Sequence, residues 1–177
     1  GGMLKGLIHV YCGEGKGKTT ASVGLAVRCA GGGGKVIYAS FMKDNKSGER
    51  KILESLENIE LLENPDAVDF YKFMSEENKK IFNRYCLDKF EVIMKKINSQ
   101  PYDMLVLDEI IPVINYGIIS ESLILNMIEN RPDKLEIVLT GRYPSESIIN
   151  AADYVTEMKK IKHPYDNGIN ARKFIEM

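Results

Sequence analysis

The feature that most constrains this chain is a short apolar run that ends in a glycine-rich loop and passes at once into a helical pattern. Leu7-Ile8-His9-Val10-Tyr11 is β-branched and aromatic, as a strand requires. Gly13-Glu14-Gly15-Lys16-Gly17-Lys18-Thr19-Thr20 follows, and from Lys18 to Ala30 the residues Ala21, Leu25, Ala26 and Cys29 recur at helical spacing until Gly31 to Gly34 stop them. A loop that wraps a polyphosphate needs backbone N–H groups turned inward, and Gly13, Gly15 and Gly17 permit the dihedrals and the close approach. Lys18 then offers a mobile cation. The Thr19 hydroxyl stands at the helix start, where it can ligate Mg²⁺, and the helix N-terminus adds the positive end of its dipole. The strict pattern places its first glycine at position 12, where this chain has Cys12, so the loop is a variant. A glycine-rich turn with an accidental Gly-Lys-Thr is the plain alternative, and the flanking strand and helix argue against it.

Lys35-Val36-Ile37-Tyr38-Ala39-Ser40-Phe41 reads as a second strand, so the first crossover is a βαβ unit of the kind that builds right-handed parallel sheets. Ser75 to Ser99 carries a long helical pattern that offers Ile81, Tyr85, Phe90, Ile93, Met94 and Ile97 for a buried stripe. Met104 to Leu107 and Leu135 to Leu139 are apolar enough for central strands, with Tyr154 to Met158 as a last one. The acids Asp108 and Glu109 end the apolar run Leu105-Val106-Leu107, the place where a carboxylate can hold Mg²⁺ or its water shell; alone, such acids are equally at home in a surface turn.

With 177 residues and no repeat, low-complexity tract or linker, a single domain over 1–177 is expected, with Gly1-Gly2 read as a remnant of cloning. Hydrophobic residues at 44% and charged residues at 28% exclude disorder, and 24 basic against 25 acidic residues leave no general field to draw in nucleic acid or an anionic membrane. The three cysteines are unpaired in pattern and no run reaches the roughly 20 apolar residues of a membrane span, so a reduced, cytoplasmic protein is expected.

Gly13 to Thr20, Gly48-Glu49-Arg50, Val106-Leu107-Asp108-Glu109, Leu139-Thr140-Gly141-Arg142, Ala152-Asp153 and Lys162-His163-Pro164-Tyr165 together resemble the P-loop ATP:corrinoid adenosyltransferases over nearly the whole chain. The resemblance implies an α/β fold, a three-layer P-loop NTPase-like (RecA-like) arrangement with a mostly parallel sheet and helices on both faces. It implies transfer of the 5′-deoxyadenosyl group of ATP to Co(I) of a reduced corrinoid such as cobalamin, with release of triphosphate. A homodimer and a flavodoxin-like electron donor belong to the same expectation. ATP would lie reversed in the loop, its 5′ carbon towards the corrinoid.

Carried over by position, Gly13, Glu14, Gly15, Lys16, Gly17, Lys18, Thr19 and Thr20 would bind ATP, Thr19 and Glu109 would hold Mg²⁺, and Asp108 would stand behind them. Lys18, Thr19 and Glu109 are the expected catalytic set. Arg142 follows a strand end and would meet phosphate or corrinoid; otherwise it is a surface arginine. Phe70, Tyr71 and Phe73 are the aromatic candidates for the lower corrinoid face, in a stretch that departs from the family's wording and in a chain without tryptophan; otherwise they are core packing. The N-terminal helical arm common in the family has no counterpart here, which implies a more open corrinoid pocket. His9 and His163 read as structural, Cys12 as a small space-filler, and the charge run Lys43 to Lys51 as a solvated turn and helix start, with Gly48-Glu49-Arg50 a substrate contact only through the resemblance. Two rivals remain at this point: a small-molecule kinase or RecA-like ATPase that cleaves the β-γ bond, and a non-catalytic nucleotide sensor.

Overall fold

The computed structural model describes residues 5–177, so the remnant assigned to Gly1-Gly2 lies outside the described residues. Six parallel strands form one sheet in the order β3-β2-β4-β5-β1-β6. They are β1 (Ile8–Cys12), β2 (Val36–Ser40), β3 (Ile59–Leu61), β4 (Met104–Asp108), β5 (Glu136–Thr140) and β6 (Tyr154–Glu157). The connections carry α1 (Lys18–Gly31), α2 (Glu49–Ser55), α3 (Glu76–Ser99), α4 (Ile110–Asn115), α5 (Glu121–Glu129) and α6 (Glu146–Ala151).

Parallel strands covered on both faces must be apolar throughout, and β2 and β4 are buried at every position. Alternate side chains feed two cores. Ile8, Val10, Ile37, Ala39, Leu105, Leu107, Ile137 and Leu139 pack with α3 to α6, whereas Val36, Tyr38, Met104, Val106 and Val138 pack with Ala26 of α1 and Leu53 of α2. The α/β, three-layer expectation is therefore met.

Helix α3 starts where Ser75 caps it, its Oγ accepting from Asn78 N at 3.1 Å, with Glu76 and Glu77 in the first turn. Its buried stripe is Phe82, Cys86, Lys89, Phe90, Ile93 and Ile97; Phe90, Ile93 and Ile97 are as expected and Tyr85 and Met94 are partly buried, but Ile81 is 63% exposed. A stripe that includes Phe82 and Cys86 keeps the helical repeat unbroken to Phe90, whereas Ile81 lies one position off that line. β3 is an edge strand of three residues, too short to leave a periodic signal.

Asp153, one of the motif residues, closes the sheet: its Oδ2 accepts from Ile8 N at 2.8 Å and so ties the start of β1 to the segment entering β6. His9 is sandwiched in the same region, stacked on Tyr154 at 4.8 Å and bonded to Glu136 at 2.6 Å, in keeping with a structural role.

Candidate active site

In an open parallel sheet the carboxyl ends of the strands are the natural place for a ligand, because every strand there hands over to a loop. The order found here brings four such ends together. β1 delivers the glycine-rich loop, β2 the segment to Glu49, β4 the pair Asp108-Glu109 and β5 Thr140 to Arg142, and all contribute to one cavity of about 1140 Å³.

The loop's shape follows from its glycines in two ways. Gly17 has φ 112°, a left-handed conformation that launches α1. At Gly15 the need is space: a Cβ would stand 2.4 Å from the Met158 carbonyl oxygen, because the segment leaving β6 crosses directly over the loop. Gly15 N–H donates to that oxygen at 2.6 Å, and Gly13 N–H donates to Arg142 O at 3.1 Å. The N–H groups of Lys16, Gly17, Lys18, Thr19 and Thr20 have no acceptor among the described residues, so a run of five donors faces the cavity end of the loop.

Lys18 folds back, its ammonium donating to Gly15 O at 2.7 Å. Burial and the neighbouring Arg142 lower its pKa. Asp108 is fully buried and saturated. It accepts from Thr19 Oγ1 at 3.0 and 3.1 Å, from Thr140 Oγ1 at 2.7 Å and from Lys43 Nζ at 3.0 Å. Thr140 Oγ1 in turn accepts from Glu109 N at 2.8 Å, which holds Glu109 in a left-handed conformation, φ 60°, at the start of α4. Glu109 differs from its neighbour: its Oε2 is shut away from water without a hydrogen-bond partner. Burial, then the Asp108 charge, pushes its carboxyl up to about 7.

A free buried carboxylate oxygen beside a hydroxyl and a second carboxylate suits a small hard cation. No three His, Cys, Asp or Glu side chains converge as a closed cage among the described residues.

Sequence reasoning missed Lys43. Far from a solvated turn, its Nζ donates to Thr19 Oγ1 at 2.9 Å and lies 3.7 Å from Glu49 as well as on Asp108. Burial opposes its charge, but Asp108 and Glu109 outweigh that and hold its pKa above the ordinary lysine value. Arg50 is buried too, donating to Leu62 O at 3.1 Å, so the reading of this run as solvated holds at Lys46 and Lys51 but not at Lys43 and Arg50, and the helix start falls at Glu49. The available signal was position: Lys43 stands just beyond the carboxyl end of a central strand.

Arg142 lines the cavity and is exposed, and Glu14, bonded to the Tyr143 hydroxyl, points away from the loop's interior. Of the three aromatic candidates, none lines the cavity. Phe70 and Phe73 are 79% and 74% exposed and meet edge to face, whereas Tyr71 is packed between Phe82 and the cavity residue Tyr116, 4.5 Å from the latter. Cys12 is buried and burial raises its thiol pKa, which fits a space-filler. Lys162 to Tyr165 lies outside the cavity, and His163 only accepts from Tyr165 N at 3.1 Å; the tail returns, however, and Phe174 to Met177 form one cavity wall, with Glu176 on Lys16 at 3.1 Å.

Residues 4–177 match the family model described as ATP:corrinoid adenosyltransferase BtuR/CobO/CobP. This chain belongs to the ATP:corrinoid adenosyltransferase family. Among relatives, it is 33% identical to the corrinoid adenosyltransferase of a Sinorhizobium species, over 97% of this chain and 80% of that one. It is 29% identical to the corrinoid adenosyltransferase of Escherichia coli K12, over 95% of this chain and 84% of that one. The corrinoid adenosyltransferase CobA of Salmonella typhimurium is 29% identical over 97% of this chain and 86% of its own. The cavity of this family member lies at the glycine-rich loop. No described helix is long and apolar enough to cross a membrane.

Proposed function

We propose that this adenosyltransferase, acting as a single domain, moves the 5′-deoxyadenosyl group of ATP to Co(I) of a reduced corrinoid and releases triphosphate. One observation carries the reading: the unpartnered amides of Lys16 to Thr20, the Lys18 ammonium and the unpartnered Glu109 oxygen all border one cavity. Its volume, about 1140 Å³, exceeds the roughly 300–1000 Å³ of an ordinary single-ligand pocket.

Cobalt(I) is the nucleophile. Its lone pair attacks C5′, the C5′–O5′ bond breaks, and triphosphate leaves with the bonding electrons. No side chain has to activate a hydroxyl, so the protein acts by holding and by stabilising charge. Lys18 exchanges its contact with Gly15 O for a phosphate oxygen, and the loop amides take further oxygens. Thr19 and Glu109 would hold Mg²⁺, with Asp108 behind them fixing the Thr19 hydroxyl and, through Thr140, the Glu109 backbone. When bound, the ion offsets the negative charge that grows on the departing triphosphate. Arg142 on the cavity wall is assigned to phosphate or corrinoid, and Phe70, Tyr71 and Phe73 to the corrinoid, a role supported for Tyr71 by its packing on the cavity residue Tyr116.

The test is one cuvette of protein, MgATP and chemically reduced cobalamin. The absorption spectrum of adenosylcobalamin should appear together with triphosphate, and ADP in its place would overturn the reading. A second reading rests on the unpartnered Glu109 oxygen, which borders the cavity and would serve instead to take a proton from an attacking hydroxyl or water, as a kinase or ATPase needs. Steady ADP release without corrinoid would favour it.

A further inference from the structure

Lys43 engages the Thr19 hydroxyl, which under the proposed function would take a divalent ion. Its Nζ is 2.9 Å from Thr19 Oγ1 and 3.0 Å from Asp108 Oδ2, so the ammonium neutralises Asp108 and uses the hydroxyl oxygen that an arriving cation needs. Two cations at such separations repel strongly in a site that is partly shut off from water.

The backbone on both sides of Lys43 is fixed. Phe41 N–H donates to Asp108 O at 3.1 Å. Asn45 and Asn64 bond reciprocally, at 2.6 Å from Asn45 Nδ2 to Asn64 O and 3.0 Å from Asn64 N to Asn45 Oδ1, and Asn64 Nδ2 donates to Asp44 O at 3.1 Å. The buried Lys89 ammonium ties this turn to the sheet, donating to Asn64 Oδ1 at 2.7 Å and to Ser40 O at 2.6 Å. With the backbone held, any movement of the charge belongs to the Lys43 side chain. It lines the same cavity as Lys18, so a rotation about its own bonds carries the charge from the carboxylate towards whatever fills that space.

We propose that Lys43 is a second substrate-facing cation of the site: it holds the metal cradle in the empty protein, gives way to the divalent ion, and passes to the polyphosphate. This deepens the proposed function and rests on its assignment of a triphosphate to this cavity. Metal and polyphosphate therefore compete and cooperate through one side chain. The divalent ion must displace Lys43, and the displaced charge then strengthens polyphosphate binding.

The experiment uses Mn²⁺ and inorganic tripolyphosphate, so it needs neither ATP cleavage nor corrinoid. In Lys43→Met, Mn²⁺ alone, read by electron paramagnetic resonance, should bind about tenfold tighter than to the unsubstituted protein. Tripolyphosphate, read by calorimetry with Mg²⁺ present, should bind about tenfold weaker. Unchanged or weaker Mn²⁺ binding, or unchanged tripolyphosphate binding, overturns the proposal. In the unsubstituted protein, acetylation of Lys43 followed by mass spectrometry should quicken with Mg²⁺ alone and slow again once tripolyphosphate is added. A rate indifferent to both refutes it even if the variant fails to fold. Both shifts without any adenosylcobalamin would uphold Lys43 and sink the adenosyl reading instead.

Discussion

Glu109→Gln should stabilise the metal-free protein at pH 8 and leave it nearly unchanged at pH 5. The Glu109 carboxyl goes from its ordinary 4.5 to about 7 in the fold, chiefly because burial disfavours the charge and secondly because Asp108 repels it. The folded state therefore holds this proton over a window in which the unfolded chain has lost it. Stability falls as pH rises from about 4.5 to about 7, and the full cost above that window is about 3 kcal/mol at 1.36 kcal/mol per unit. Glutamine has nearly the same shape and no charge to bury, so it escapes that cost; a gain of about 2–3 kcal/mol over wild type should open between pH 5 and pH 8. Urea unfolding at the two pH values in chelator measures it. Mg²⁺ at pH 8 should then stabilise the wild type and leave the glutamine variant almost untouched. A glutamine variant that is equally or less stable than wild type at pH 8 would refute the argument, since the Glu109 charge would then be well solvated or well paired.

Lys18→Ala should lower turnover by about a hundredfold or more, with an unfolding midpoint close to wild type, because Lys18 touches only the Gly15 carbonyl; near-normal kinetics would remove it from the site. Gly15→Ala should destabilise by about 1–3 kcal/mol and weaken nucleotide binding, since its Cβ meets the Met158 carbonyl oxygen at 2.4 Å; calorimetry and melting read both. Tyr71→Ala should cost about 2 kcal/mol or more through its lost packing on Phe82 and Tyr116 and its bond to Asn83, whereas Phe73→Ala, at an exposed position, should stay within about 0.5 kcal/mol. If Phe73→Ala nonetheless halves the rate with Co(II) plus reductant and not with preformed Co(I), the aromatic pair serves the corrinoid.

Much of the fold was legible because its signals are local. A strand, a glycine loop and a helix in immediate succession are readable within 30 residues, and central parallel strands announce themselves as unbroken apolar runs, as Met104 to Leu107 does. β3 was not legible, since three residues carry no period. The buried face of α3 was misread at Ile81 because hydropathy favours any isoleucine, whereas the sheet accepts only the line through Phe82, Cys86 and Phe90.

The site divides in the same way. Residues 13–20 and the pair Asp108-Glu109 follow from chemistry written in consecutive residues, so the sequence alone determined the loop, its lysine and the acids across from it. The resemblance already set Asp108 behind Glu109, but only the tertiary structure supplies the cause: Asp108 is saturated and Glu109 keeps a free oxygen because of Thr140 and Lys43, brought in by β5 and β2. Strand order placed them there. A charged residue in a polar run looks solvated until a sheet sets its strand end beside a buried carboxylate, and the burial of that carboxylate is a property of the packing, not of any short stretch of chain.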